Sequence, residues 1–472
     1  MKRIYLHHYW LLYLDFINTF QDLTFKEIPL PLLFNFYQYI DEGLKKEMLK
    51  PGFKDYLNTQ ELTEEQIQPH FETVLNPLKK PLKAKPVNGK VLLNFDYLRF
   101  SPDNYSDYFI PKQTVIFARF KKREHMGIPV HCIKDYKINV TGLTQDVLEK
   151  ANTIFSLCNA HPLFENQNFR NKFINDIPAI IETTAAVYRY LDEIPISCII
   201  VGTTEEIICR SLTIIASLKG IPSICLQHGI LMGEEAFLPV FSTKMAVYGG
   251  YEKEWYLSKG VAADRVVVTG HPRFDDIFNQ PHMSKADFQK KYGLNAQKKW
   301  ILIAADPHNV PVWNRLVQLL ARESSIEIII KPHPWEIKTN KNWYYEKLSA
   351  RYDSVKLILS REVNLYDILP NVDAVIVSLS TVALEAMLFE KPLIIYKQEN
   401  YKDRDYDYYD KMDKFVQYDP IKIVGVIMQL LIDKNFQREA ENKQKEFLAY
   451  AYPVKKSGKR LLELMEEKSD YE

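Results

Sequence analysis

A lysine and a histidine set between prolines, Lys331-Pro332-His333-Pro334, close the apolar β-branched run Ile326–Ile330. An apolar run of strand length with an abrupt polar stop predicts a buried strand of a parallel sheet. The lysine offers a phosphate a point charge, and the imidazole offers a second hydrogen bond. The prolines keep the break out of helix, so both groups point away from the strand end. A second stretch answers the first. Asp373–Tyr396 reads as a strand, a polar break at Ser378-Leu379-Ser380-Thr381, a helix to Phe389 and a further strand after Lys391-Pro392. Ser380 is a natural N-cap, and the free N–H groups and dipole of the helix it opens suit a phosphate. Glu385 lies one turn after Thr381 on the same face, where a carboxylate can take both hydroxyls of a ribose. Ligands of open parallel sheets bind beyond the carboxyl edge of the strands. Lys331, His333, Ser380 and Thr381 are therefore expected along one such edge.

Three further clusters carry chemistry. Gln227-His228-Gly229 ends the apolar run Ile221–Leu226. There His228 can take a proton from an acceptor hydroxyl, and the glycine lets a substrate approach the backbone. Gly202 and Thr203 end the preceding run and, with Gln227 and Gly229, are assigned to the acceptor side. Gly270-His271-Pro272-Arg273 falls at a domain junction, where His271 and Arg273 either touch a donor diphosphate or form a packed hinge. Asp306-Pro307-His308 ends another run, at a place suited to neutralising a leaving phosphate through His308. For each cluster the plain alternative is structural: a rigid turn, an ordinary cap, a core histidine.

The elements that must position these groups follow from length and pattern. A chain of 472 residues exceeds one ordinary core and implies two large domains. A net charge of +1 gives no global attraction for nucleic acid, and only 16 glycines limit any glycine-rich phosphate loop. Five scattered cysteines, Cys132, Cys158, Cys198, Cys209 and Cys225, show neither metal spacing nor a disulfide framework; they read as free thiols in a reducing compartment. The first 20 residues are apolar but include His7, His8 and Asp15. Their uninterrupted part is too short to span a bilayer, so a strand or amphipathic helix is expected. A cytoplasmic protein follows, with peripheral contact at the inner membrane face compatible with the lysine-proline loop Leu78–Lys90. Strands are expected at Val91–Phe95, Thr114–Ala118 and Ser197–Val201. Helix is expected over 145–191, with breaks near Ala160–Pro162 and at Ile177-Pro178. From 300 to 396 strand and helix alternate closely. Asp403-Arg404-Asp405 has the letters of a metal motif but lies in a charged loop within the tyrosine-rich segment Lys397–Tyr409, expected to be mobile. No metal and no cofactor is therefore expected, with cationic side chains and helix N-termini neutralising the phosphates.

With LQHG (Leu226–Gly229), TGHPRFD (Thr269–Asp275), IIKPHP (Ile329–Pro334) and SLSTVALEAMLFEKPLII (Ser378–Ile395) in hand, the chain resembles glycosyltransferases of the GT-B fold. More narrowly it is similar to bacterial surface-polysaccharide enzymes, including capsule-synthesis transferases and CDP-glycerol glycerophosphotransferases. The resemblance covers about Ile196–Tyr396. It implies two Rossmann-like, doubly wound parallel-sheet domains facing a central cleft, with extra N-terminal helices. The expected division is 1–275 for an acceptor domain, 285–435 for a nucleotide-donor domain and 436–472 for helices that pack back across the cleft. The implied partners are a nucleotide-sugar donor and a carbohydrate or lipid-linked acceptor. Carried over by residue, His228 matches the family's base and His333 its second histidine near the donor phosphates. Ser380, Thr381 and Glu385 match the donor-binding helix. The sequence departs from the glycerophosphotransferases in lacking an aspartate-tyrosine-serine opening to that helix. It departs from the non-hydrolysing UDP-sugar 2-epimerases in having Gly229-Ile230 after His228, where those carry an acid/base glutamate. A non-catalytic nucleotide-binding partner is the remaining alternative.

Overall fold

Apolar runs without polar alternation need cover on both faces, which a parallel sheet between helices supplies. The computed structural model describes residues 4–158, 160–307, 309–339, 341–359, 363–398 and 406–467. His308, Asp403-Arg404-Asp405 and most of Lys397–Tyr409 lie outside the described residues. The chain forms two compact units: Met1–Arg273 with Val454–Glu472, and Phe274–Tyr401 with Tyr406–Pro453.

In the first unit the main sheet contains β1 (Lys90–Asn94), β2 (Thr114–Ala118), β3 (Glu124–His125), β4 (Ile128–Cys132), β5 (Ile196–Val201), β6 (Ser223–Leu226), β7 (Lys244–Val247) and β8 (Val266–Val268). Its order is β8-β7-β6-β5-β1-β2-β4-β3, parallel except for the β3–β4 pair. The chain winds outward in both directions from the central pair β1 and β5. Both faces are covered. Leu92 and Ile199 point into the larger core with the N-terminal helices, whereas Leu93 and Ile200 point into a smaller core closed by Leu461 and Leu464.

The second unit holds β9 (Lys299–Ala304), β10 (Ile326–Lys331), β11 (Val355–Leu357), β12 (Ala374–Ser378), β13 (Leu393–Tyr396) and β14 (Val416–Gln417). All pairs are parallel, in the order β11-β10-β9-β12-β13-β14. This is the doubly wound dinucleotide-binding order, with the reversal between β9 and β12.

Several expectations change. Residues 4–20 form neither a strand nor an amphipathic helix but α1 (Ile4–Phe20), buried on every side, His8 and Asp15 included. A helix apolar all round belongs inside a core, and Tyr13 and Phe16 both stack on Phe36 there. Among the described residues no helix is long and apolar enough to cross a membrane. The expected helical region is α2 (Thr141–Leu157) and α3 (Gln167–Glu193), and α3 runs through Pro178 instead of breaking there. Burial of Ile177, Ile180 and Ile181 along one face outweighs the single hydrogen bond a proline removes. After α4 (Ile207–Lys219) and α5 (Thr381–Leu388), the stretch 436–472 divides: α6 (Lys434–Ala451) lies in the second unit and α7 (Ser457–Glu466) in the first.

Asp15 ties three segments of the first unit together. Its carboxylate accepts from His161 Nε2 at 2.9 Å, from the amides of Asn58 and Thr59 at 2.8 Å each, and from the Thr59 hydroxyl at 2.6 Å. Burial pushes the carboxyl pKa up, but the His161, Thr59 and Asn58 hydrogen bonds outweigh it and hold it below the ordinary value. A carboxylate depressed on folding stabilises the protein above its unfolded pKa of about 3.9, and that contribution is lost as pH falls through the folded value. Asp15→Ala is expected to cost about 3–5 kcal/mol, as for removal of one member of a buried pair. Urea midpoints at pH 7 and at pH 3.5 check this: the difference between wild type and variant should shrink at the lower pH.

Candidate functional site

Two strand edges, one in each unit, hold the candidate residues. In the second unit the register places Lys331 of β10 and Val377 of β12 on either side of Ala304 of β9. The loops after all three strands therefore leave the sheet side by side, about 5 Å from strand to strand. Lys331 is half-buried, and its Nζ donates to the Val363 carbonyl at 3.3 Å. Among the described residues no carboxylate pairs with it. Burial alone holds its ammonium pKa below the ordinary value.

His333 is exposed and caps the short helix Pro334–Lys338, its Nδ1 accepting the Trp335 amide at 3.2 Å. A neutral imidazole that accepts at Nδ1 carries its proton on Nε2, so His333 is built as a donor. Buried Glu336 fixes the turn by accepting the His333 amide at 3.0 Å.

Across the reversal, Ser380 Oγ accepts the Val382 amide at 3.2 Å and opens α5, and Tyr409 holds the Ser380 carbonyl at 2.7 Å. Thr381 is half-buried at the first turn. Glu385 is buried within the unit. The edge thus offers a cation, an N–H donor and the positive end of a helix with a neutral cap.

In the first unit the edge is organised around His228. Its Nδ1 lies 3.0 Å from the Gly202 carbonyl, which can only accept, so Nδ1 carries the proton and Nε2 the lone pair. The two histidines therefore have opposite tautomers, one fitted to take a proton and the other to give a hydrogen bond. The His228 ring stacks on Phe237 at 5.5 Å and meets the edge of Tyr97 at 5.6 Å. Burial pulls its pKa down to about 4, with Arg99 adding to the effect and the Gly202 hydrogen bond opposing it. It is neutral at pH 7.

The loop after β1 supplies Tyr97 and Arg99, both at positive φ, 66° and 55°. Left-handed backbone at non-glycine residues costs energy and gathers at functional sites. The Tyr97 backbone lies directly on Gly202, where a Cβ would collide with its carbonyl. That glycine is therefore required for packing. Gly229 faces open space.

Other expected acceptor-side groups turn inward. Gln227 is buried and donates to the Gly229 carbonyl at 2.7 Å and to Glu252 at 3.1 Å, while the Thr203 hydroxyl accepts the Glu205 amide at 3.0 Å. Both shape the loops on either side of His228. His271, expected at a donor, is buried in the first unit between Phe100 and Tyr248, with its Nδ1 accepting the Arg273 amide at 3.2 Å. Burial, then Arg273, Arg99 and His228, hold its pKa far down. The turn is packed within the first unit. Arg273 is half-buried beside it, close enough to lower the pKa of both histidines.

The two reversal-point helices differ at their starts. In the first unit Glu206 caps α4, its carboxylate accepting the Ile208 and Cys209 amides at 3.0 and 3.2 Å and pairing with Arg119. The positive end of α4 is already filled by a carboxylate, whereas among the described residues that of α5 carries only a serine.

Residues 251–466 match the family model described as CDP-Glycerol:Poly(glycerophosphate) glycerophosphotransferase. The match includes Lys331, His333, Ser380 and Thr381 but begins after His228. No curated protein sequence matches the chain. Among solved structures, a putative UDP-N-acetylglucosamine 2-epimerase from Listeria monocytogenes aligns with a TM-score of 0.52 at 12% identity, over 81% of this chain and 98% of that one. Anabaena HepE in complex with UDP aligns with a TM-score of 0.50 at 14% identity, over 80% and 99%. The UDP-GlcNAc 2-epimerase from Neisseria meningitidis, bound to UDP-GlcNAc, gives 0.50 at 14%, over 80% and 100%. The fold is GT-B. In GT-B terms, the first unit supplies one Rossmann-like sheet with added N-terminal helices and the second unit the other.

Proposed function

We propose that this protein is a transferase of cell-surface polymer synthesis. It moves a sugar from a nucleoside-diphosphate donor to the hydroxyl of a carbohydrate or lipid-linked acceptor, on the cytoplasmic side. The carrying observation is Lys331: a half-buried cation with no carboxylate partner among the described residues, at the reversal edge of the second unit. Burying a charge is costly unless something neutralises it, and a diphosphate does so. His333 then donates to a phosphate oxygen, and the start of α5 takes the remaining negative charge. The filled start of α4 supports assigning the acceptor, and not the nucleotide, to the first unit.

In the reaction the acceptor oxygen loses its proton to Nε2 of His228 and bonds to the anomeric carbon. The bond from that carbon to the diphosphate breaks, and the nucleoside diphosphate leaves with the electron pair. Lys331 and His333 stabilise the charge that builds on it.

The family match favours a second reading, transfer of glycerol phosphate from CDP-glycerol. There the acceptor oxygen bonds to the β-phosphorus, and CMP leaves. The two readings release different nucleotides, so one experiment separates them. The chain is incubated with a panel of nucleotide sugars and CDP-glycerol, plus oligosaccharide and lipid-linked acceptors, in EDTA. Acceptor-dependent release of a nucleoside diphosphate is the expected result, undiminished by the chelator. Release of CMP from CDP-glycerol makes the second reading correct. An isomerised donor with no release, or binding without turnover, rejects both.

A further inference from the structure

We infer that the first unit contains a second ligand site, a cavity of about 470 Å³ beside α1, which takes an uncharged amphiphile with an apolar body and a hydroxyl head. The volume lies within the range of ligand pockets, roughly 300–1,000 Å³. Its walls include Ile4, Leu6, Trp10, Leu62 and Ile67. Its polar groups converge on Lys259, which is almost wholly buried, with Nζ 2.8 Å from Glu64 and 2.8 Å from Glu234. The Trp10 indole N–H donates to the other Glu234 oxygen at 3.1 Å.

Charge decides the ligand class. Two carboxylates face one ammonium, and His7 adds no positive charge at neutral pH because burial, then His8 and Lys54, lower its pKa. Among the described residues that line the cavity the polar end is therefore net negative, which disfavours phosphates, nucleotides and fatty acids. An ammonium has three N–H donors and two are engaged by the carboxylates. The third can meet a hydroxyl oxygen, and that hydroxyl can donate in turn to Glu64.

The site is also connected to His228. Glu234 opens the short turn Glu234–Ala236, and the next residue, Phe237, is the ring stacked on His228. A ligand that draws on Lys259 loosens its hold on Glu234, and the change reaches the imidazole through three residues of chain.

The test is direct binding to the full-length protein and does not depend on transferase activity. The neutral fluorophore N-phenyl-1-naphthylamine reports occupancy, displaced by 1-decanol or by decanoate. Decanol is expected to displace it at one site per chain and decanoate at least about tenfold more weakly. Ile4→Trp and Leu62→Trp, which fill the cavity, should each weaken decanol binding at least about tenfold. Decanol should move the His228 imidazole NMR signals in the wild type and not in the filled variants. Equal binding of decanoate and decanol, undiminished binding to both filled variants, or unmoved His228 signals overturns the proposal. Should a filled variant fail to fold, the comparison of decanol with decanoate on the wild-type chain decides alone.

Discussion

His228→Ala is expected to lower kcat by about 10²–10⁴, the range for loss of a positioned general base, and to leave nucleotide affinity within about twofold. The separation follows from where the groups sit. The imidazole belongs to the first unit, while Lys331, His333 and the start of α5 belong to the second. The Gly202 carbonyl fixes the tautomer, so the lone pair is always on the nitrogen that must take the proton. His228→Gln tests this further: a side-chain amide can keep the hydrogen bond to Gly202 but cannot accept a proton, so it should be as inactive as alanine. Single-turnover rates and nucleotide titrations check both variants. Normal transfer by either variant removes His228 from the chemistry.

The pH profile follows from the same residue. A base works only when deprotonated, so activity is present above its pKa and lost below. With His228 drawn down to about 4, kcat/KM should stay flat from pH 7 to 5, where an ordinary histidine near 6.5 would already have failed. Burial is the larger cause and Arg99 the next. Arg99→Gln should therefore move the acid limb upward without carrying it the whole way to the ordinary value. An imidazole this weakly basic is a poor proton acceptor until negative charge arrives beside it. The limb of kcat, which reports the substrate complex, should consequently lie above that of kcat/KM.

Much of this architecture was legible in the residue pattern. Thr114–Ala118 and Leu393–Tyr396 are strands with the bounds expected, because each is a fully buried run closed by a turn or a proline. The ends of β10 and β12 fall on one edge as anticipated, since parallel strands must all present their carboxyl ends together. β4 was missed: Pro129 and His131 interrupt its apolar run, and only its place beside β2 makes it a strand. α1 was misjudged because a helix buried on all sides has no polar face to give it a period. At the candidate site, residue types singled out His228 and His333 but not their opposite tautomers, which are set by a carbonyl 26 residues away and by a neighbouring amide. Arg99 and Tyr97 had no signal at all. They belong to no motif, and left-handed backbone at tyrosine and arginine has no signature in sequence.

Lys331→Met separates function from structure most sharply, because the two pull in opposite directions. Loss of a charge-assisted bond to a phosphate is worth about 1.5–3 kcal/mol, so nucleotide affinity should fall roughly 10- to 150-fold. If Lys331 also meets the charge that builds on the leaving group, kcat should fall as well. Stability should move the other way. Methionine fills much of the same volume without the cost of desolvating an ammonium, so the variant should unfold at the same urea concentration or higher. A lysine kept only for packing would show the reverse: a less stable variant with unchanged affinity.

The lowered pKa of Lys331 adds a second readout. The free protein loses the ammonium charge earlier than an ordinary lysine would as pH rises, and a bound diphosphate restores it. Nucleotide affinity should therefore decline with rising pH in the wild type, with proton uptake on binding, whereas Lys331→Met binds weakly with no such decline. Lys331→Arg keeps its charge throughout, so its affinity should be independent of this titration, although its larger head displaces the contact. Calorimetric titrations in buffers of different ionisation enthalpy measure the uptake. On the alkaline side, where the free lysine has begun to lose its proton, wild-type binding with no proton taken up would mean that no phosphate meets this lysine.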